Sequence, residues 1–421
     1  MASSNNTTST LNGFFKTVFG PSWLNAISPA GKLLTLFPFD KKNLIGKAYS
    51  VPVVVNLEQG FTASAPDQDA FDLLGSIASS TREASVNAYQ LVLQAAFSYE
   101  VAAKATKSET SFLNVMELRM QTMIESFERR LVIETLYGQS GLGVTASSAN
   151  VDVTHTAVTF SAASWAPSFW VGAENATMQF YTAVPGLISS GADSIFTVQK
   201  VNFDTRVVTF TGTTTGITAL DAATAAGASA YFNGFYGNEM AGQAKIITNT
   251  GSLFGIDAST YGIWKGNSYA VGGAITMQKL LRALGAPTGR GLEEDATLLL
   301  GTQSWADLNA DLHGNRRYDG SYRRTQAEAG MEAIEYVGQN GVIKIIGSGF
   351  IKGGDGMLFP NKKVKRVGSV ERSFSVPGED EVYFRHIDAK AGYEYRIYGA
   401  QSVFNEAPSQ SLMLTGIVAA T

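Results

Sequence analysis

Between Thr110 and Tyr137 the apolar residues Phe112, Met116, Met120, Met123, Phe127 and Leu131 recur three or four positions apart, which puts them on one stripe of an α-helix. Most other positions, among them Glu117, Arg119, Glu125, Glu128, Arg129, Arg130 and Glu134, are charged. The pattern predicts a helix packed along one face with its far side in water. Ser108 stands where an N-cap hydroxyl is needed, and Gly138 where the chain leaves the helix with positive φ. About 28 residues at 1.5 Å each give a rod of roughly 42 Å. That is longer than a small domain needs, and it suits a spine along which an extended sheet is laid.

Before the spine the period is two. Val51, Val53, Val55 and Leu57 alternate with other residues, Thr62 to Ser80 is polar and turn-like, and alternation resumes from Tyr89 through Phe97 to Val101. These two runs are expected to be the arms of a long β-hairpin, which is marginal in water unless it rests on a surface. Residues 1 to 47 have no sustained period but carry Phe14, Phe15, Phe19, Trp23, Leu33, Leu34, Phe37 and Phe39, broken by Pro21, Pro29 and Pro38. Such an aromatic segment is expected to lie along another surface as an arm.

After the spine, Val144 to Asn233 is rich in Thr, Ser and Ala, with strand-like runs at Ala157–Phe160, Phe169–Val171, Thr177–Tyr181, Phe196–Val201 and Arg206–Phe210 and a turn over Asn202–Thr205. It reads as a small all-β insertion. From Gly234 the chain is mixed. Thr276–Leu284 and Ser304–His313 read as helices stopped by Gly285 and Gly314, the second opened by a Ser304/Asp307 capping box. Leu298–Leu300 and Val342–Ile346 suit central strands, with further strands at Met357–Phe359, Glu381–Ile387, Tyr393–Tyr398 and Leu412–Val418.

Composition narrows the function classes. The 421 residues include no Cys, so disulfides, thiolate metal sites and thiol catalysis are excluded. Residues 1 to 47 hold five lysines against one aspartate, a net of +4 that leaves −8 for the rest of a chain of net charge −4. No broad basic face for nucleic acid can be assembled from that. The N-terminus lacks the order of a secretory signal, and no stretch suits a membrane span, so a cytosolic origin is expected. Charged residues make up 16% against 45% hydrophobic ones, which fits a chain with large partner contacts and equally a β-rich monomer with Thr-covered faces.

Candidate chemistry is sparse. His155, His313 and His386 sit in three separate proposed elements. Gly138–Gly143 lacks the Lys of a phosphate loop, and Gly347–Gly356 fails GxGxxG because Lys352 takes the last glycine position. No catalytic, cofactor-binding or metal site is expected. The one concentrated charge feature is Arg316, Arg317, Arg323 and Arg324 within nine residues, interleaved with two tyrosines. Such a loop should meet an acidic partner. The expectation is that it meets the Glu293, Glu294, Asp295 loop of an adjacent copy.

The order of elements, with the stretches Gly255–Tyr269, Gly347–Pro360 and Tyr393–Ile417, resembles the tailed-bacteriophage major capsid proteins of the Hong Kong 97 fold. The resemblance implies an α+β fold with an N-terminal arm (1–47), an extended hairpin loop (48–107), the spine helix of a peripheral domain (108–143), a β-rich insertion (144–233), an axial domain (234–360) and a return to the axial and peripheral sheet (361–421). It implies hexamers and pentamers in an icosahedral shell around double-stranded DNA held by non-specific proximity. It also implies scaffolding and portal partners, a possible decoration protein, no membrane, no cofactor and no enzymatic activity. Synthesis would be in the host cytoplasm and residence in the virion. An encapsulin-like compartment and an enzyme with a β-rich accessory domain are the rival readings.

Overall fold

The computed structural model describes residues 31–41, 47–67, 70–98, 109–182, 186–316, 334–338, 341–375, 385–387 and 392–419. The first 30 residues of the expected arm, Ser108, and Arg317, Arg323 and Arg324 lie outside them. The described end of the arm, a 3-10 turn over Gly31–Leu36 followed by Phe37, folds onto its own chain. Phe37 is buried and packs on Phe359 at 4.9 Å between ring centroids.

A hairpin follows, but with a different second arm. β1 (Tyr49–Asn56) pairs antiparallel with β2 (Ser80–Val86), while the strand expected in that place, β3 (Tyr89–Ser98), crosses to another sheet. The sequence of β2, STREASV, conceals it: only Ala84 and Val86 are buried, so no alternation of large apolar side chains marks the strand. The base of the hairpin is also less orphaned than expected. Ala84 and Val86 join Ile256, Trp264, Val367 and Phe404 in a small core of the same chain.

The spine is α1 (Glu109–Tyr137). Met123, Phe127 and Leu131 are buried as the stripe requires, but so are Val132, Ile133, Glu134, Thr135, Leu136 and Tyr137. The expectation of a wet far side fails here, because the last two turns are covered on every face. Gly138 ends the helix for a reason other than φ. The positive φ falls on Gln139, at 61°, whereas a Cβ on Gly138 would stand 2.1 Å from the Met240 carbonyl oxygen.

Next comes a closed barrel: β4 (Gly143–Asp152), β5 (His155–Phe160), β6 (Thr177–Tyr181), β7 (Phe196–Asn202), β8 (Val207–Thr211) and β9 (Ser229–Phe232), in the order β4-β5-β8-β7-β6-β9. Phe180, Phe196 and Phe210 fill it edge to face. The expected strand at Phe169–Val171 is instead a single helical turn, α2 (Pro167–Trp170), which stacks Trp170 on Trp165 at 5.6 Å. A helix not read from the sequence, α3 (Thr214–Thr224), buries Ile217 and Leu220 against the barrel; Thr213 caps it by accepting from Gly216 N. The chain then returns to where it left the spine, with Gly242 N donating to Gly138 O at 3.0 Å.

The remaining elements are α4 (Gln243–Thr248), β10 (Ser252–Leu253), β11 (Ile256–Asp257), β12 (Asn267–Gly273), α5 (Met277–Gly289), β13 (Ala296–Leu300), α6 (Thr302–Arg316), β14 (Ile334–Val337), β15 (Val342–Gly347), β16 (Gly356–Pro360), β17 (Val364–Ser373), β18 (Arg385–His386), β19 (Gly392–Asn405) and β20 (Leu412–Ile417). One mixed sheet has the order β12-β20-β16-β13-β15-β14; in a second, β19 lies between β17 on one side and β3 and β18 on the other. Both expected glycine stops fail. α5 runs through Gly285 because Leu284 and Pro287 are buried in its last turns, and α6 runs through Gly314 to Arg316. Because α6 starts at Thr302, Ser304 is a buried residue of its first turn rather than its cap. The molecule is thus a mixed α and β chain with several sheets. One continuous core joins barrel, spine and the second sheet, and a separate core lies under α5 and α6.

Gly138→Ala drives a methyl into backbone and should cost roughly 3 kcal/mol. Gly285→Ala, in a helix interior with nothing within 4 Å, should gain ~0.5–1 kcal/mol. Denaturant unfolding of the two variants checks the opposite signs.

Candidate assembly surfaces and the buried charge junction

Where spine, returning chain and the loop before β16 meet, charges gather, with Glu134, Glu239 and Lys352 buried and Arg130 and Asp355 half-buried. Arg130, Glu134 and Tyr137 come from α1, Glu239 from the segment after the barrel, and Lys352 and Asp355 from the glycine-rich loop. Lys352 Nζ donates to the carbonyls of Gly141 at 2.8 Å and Ser140 at 3.4 Å and lies 4.3 Å from the centre of the Tyr137 ring. Tyr137 OH donates to Asp355 Oδ2 at 3.1 Å and accepts from Lys352 N at 3.1 Å. Glu239 Oε1 accepts from Gln139 N at 2.8 Å, and the Arg130 guanidinium lies over the Phe232 and Phe235 rings.

Loss of water dominates the proton affinities here. Burial pushes Glu134 up to about 8, Glu239 to about 7 and Asp355 to about 6, against the partial relief of the nearby cations. Burial also brings Lys352 down to about 8 and Arg130 to about 9. The sequence places Arg130 and Glu134 on the charged side of the spine and Lys352 in the glycine-rich run, and joins none of them to a site. The available signal was Glu134 inside Leu131-Val-Ile-Glu-Thr-Leu-Tyr137, a helical run apolar all round with one carboxylate in it. The cluster ties three segments together.

Glu293 and Asp295 are exposed and Glu294 is half-buried, in the loop between α5 and β13. Glu294 Oε1 is 3.7 Å from Lys363 Nζ, and Asp295 Oδ1 accepts from Val342 N at 3.0 Å. Arg316 is the last residue of α6. Arg317, Arg323 and Arg324 lie outside the described residues. His155, expected to be isolated, donates within its own turn: its Nδ1 is 2.8 Å from Asp152 Oδ1, which holds Asp152 down at about 2. Among the described residues no group of His, Asp and Glu could hold a metal ion, and no helix is long and apolar enough to cross a membrane.

The other surface feature is the hairpin tip. Beyond the paired strands, Phe61 and Leu73 are each 79% exposed, and Leu57, Phe71, Leu74 and Ile77 are exposed beside them. Gln59 N donates to Ile77 O at 3.1 Å and Leu74 N to Thr62 Oγ1 at 2.9 Å, so the tip is held as a shaped ribbon. Six large apolar side chains on one ribbon mark a surface that another surface covers.

The carboxyls set the pH dependence of the junction. Each has a folded pKa above its unfolded value, so the native state holds more protons between pH 4.5 and about 8, and stability falls as pH rises through that window. Lys352 acts oppositely, from about 8 to 10.5. Denaturant unfolding should place the wild type on the order of 5 kcal/mol lower at pH 8 than at pH 5.5 through these groups, and Glu239→Gln should flatten the slope.

No protein-family model and no curated protein matches the chain. Solved structures do, end to end. The cyanophage A-1(L) capsid asymmetric unit aligns with TM-score 0.52 at 10% identity, covering 98% of this chain and 99% of that one. The capsid of the native GTA particle aligns with TM-score 0.52 at 8% identity over 99% and 100% of the two chains. The empty GTA particle gives 0.51 at 7% identity over the same shares. With spine, barrel, sheets and hairpin all inside these alignments, the chain has the fold of the tailed-phage major capsid proteins.

Proposed function

We propose that this chain is a major capsid protein, a structural and non-enzymatic subunit whose copies form hexamers and pentamers of an icosahedral phage head enclosing double-stranded DNA. The observation that carries the reading is the alignment of nearly the whole chain, 98% and 99% of it, with two capsid subunits. The exposed apolar tip gives it a physical basis. Ribbons of this kind are completed by a neighbouring copy, and obligate interfaces bury 2,000 Å² or more in total, on the order of what several such contacts supply. The net charge of −8 outside residues 1–47 suits DNA held by confinement rather than by a basic lining.

On this reading residues 1–47 are the arm, 48–107 the extended loop, 108–143 the spine, 144–233 the insertion, 234–360 the axial domain and 361–421 the returning strands. The Arg316–Arg324 segment meets the Glu293–Asp295 loop across copies. A separate scaffolding protein, a portal and possibly a decoration protein are the further partners, and the assembled protein resides in the virion.

Electron microscopy and sedimentation test the reading. Closed shells with nuclease-protected DNA in particles from infected cells are expected, and a monomer at high concentration overturns it. Shells holding protein cargo in place of DNA favour a compartment. Replacing Phe61 and Leu73 together by Ser should lower the yield of shells about tenfold or more while monomer unfolding is unchanged, since the tip buries nothing within its own chain.

A further inference from the structure

The barrel is joined to the spine by two crossings that run side by side, residues 138–142 on the way out and 239–242 on the way back. Ionisable side chains hold both. Glu239 Oε1 accepts from Gln139 N at 2.8 Å, with Gln139 in the left-handed region at φ 61°, and Lys352 Nζ donates to Gly141 O at 2.8 Å. Around Glu134 and Glu239 stand Arg130 and Tyr137 of α1, Tyr231 of β9, and Lys352 and Asp355 of the glycine-rich loop, while α4 opens with the buried, neutral Gln243. Glu134 Oε1, Arg130 Nη1 and both polar atoms of the Gln243 amide are buried without a hydrogen-bond partner. Water reaches the junction from its rim, where Arg130 and Asp355 are half-buried.

We infer that the junction is a proton-operated clamp at the root of the barrel: with Glu134 and Glu239 protonated the two crossings close on the spine, and with both ionised the crossings and the last turns of α1 open to water while the barrel and both sheets stay folded. The count of charges sets the direction. With both glutamates protonated, Arg130 and Lys352 outnumber the one remaining carboxylate, Asp355; with both ionised, the carboxylates outnumber the cations. A carboxylate at Glu134 has no donor for its Oε1 inside the protein, so on ionising it must recruit water. Burial raises the proton affinity of both glutamates, so the closed form holds their protons, and closure is favoured at low pH and weakens as pH rises. Lys352 acts in the opposite sense only from about 8 upward. The opening is local because the barrel has a second attachment that carries no charge. Gly353 N donates to Trp165 O at 2.9 Å and Gly354 N to Ala163 O at 2.8 Å, and these bonds keep the barrel on the glycine-rich loop whatever the state of the crossings.

Amide hydrogen exchange on the full chain at about pH 5.5 and about pH 8, corrected for the pH dependence of the chemical exchange step, tests the clamp. Peptides covering residues 131–142 and 239–247 should lose protection about tenfold or more at the higher pH. Peptides from β5, β8, β13 and β16 should change less than about twofold. Glu239→Gln and Glu134→Gln each keep the shape of the side chain and cannot ionise, so each should reduce the loss at the crossings. An equal loss across all peptides, no loss at the crossings in the wild type, or an undiminished loss in both variants overturns the clamp. Should one variant fail to fold, the other and the wild type still decide the matter, and the outcome is independent of the capsid reading.

Discussion

Residues Leu131 to Tyr137 are enclosed by the second sheet, the barrel and the chain returning from it, and the other parts of the fold are positioned from that enclosure. Covering a helix on every side requires two backbones to approach more closely than side chains allow. Gly138 and Gly242 provide this, with a hydrogen bond of 3.0 Å between them and no room for a Cβ on either. The barrel can therefore be let into the chain between residues 143 and 232 without moving the spine from its sheet. Gly399 makes the corresponding allowance on the sheet side, where a Cβ would stand 2.7 Å from the Phe127 ring.

Apolar packing alone would fill such a junction. This one instead carries two cations and three carboxyls from three segments, and burial shifts every one of them. Desolvation makes the cluster a poor source of stability but a demanding one in geometry, because removing one member leaves another charge without its partner. The barrel is thereby tied to the spine in one arrangement.

The outward parts follow the opposite rule. The base of the hairpin has a core of its own, while its tip displays aromatic and aliphatic side chains to water. The described end of the arm is anchored like the hairpin base: Phe37 is buried against Phe359, and Arg366 fixes the backbone there through Nε donating to Phe37 O at 2.7 Å. An anchored base with an exposed apolar tip is a surface suited to a partner.

By itself the sequence determined the elements whose side chains repeat with a clear period. The spine helix came out within one residue of Glu109–Tyr137, Thr177–Tyr181 matched its strand, and the absence of Cys excluded disulfides and thiol chemistry. Only the tertiary structure decided which strands pair, since a strand such as STREASV carries no period of its own and is a strand because Tyr49–Asn56 bonds to it. The fate of Gly285 and Gly314 was likewise decided by burial of the turns around them, which outweighs a glycine's local preference for ending a helix. Periodicity records only which side of an element is covered, so residues covered on all sides, Glu134 and Lys352 among them, were identified by the packing of distant segments.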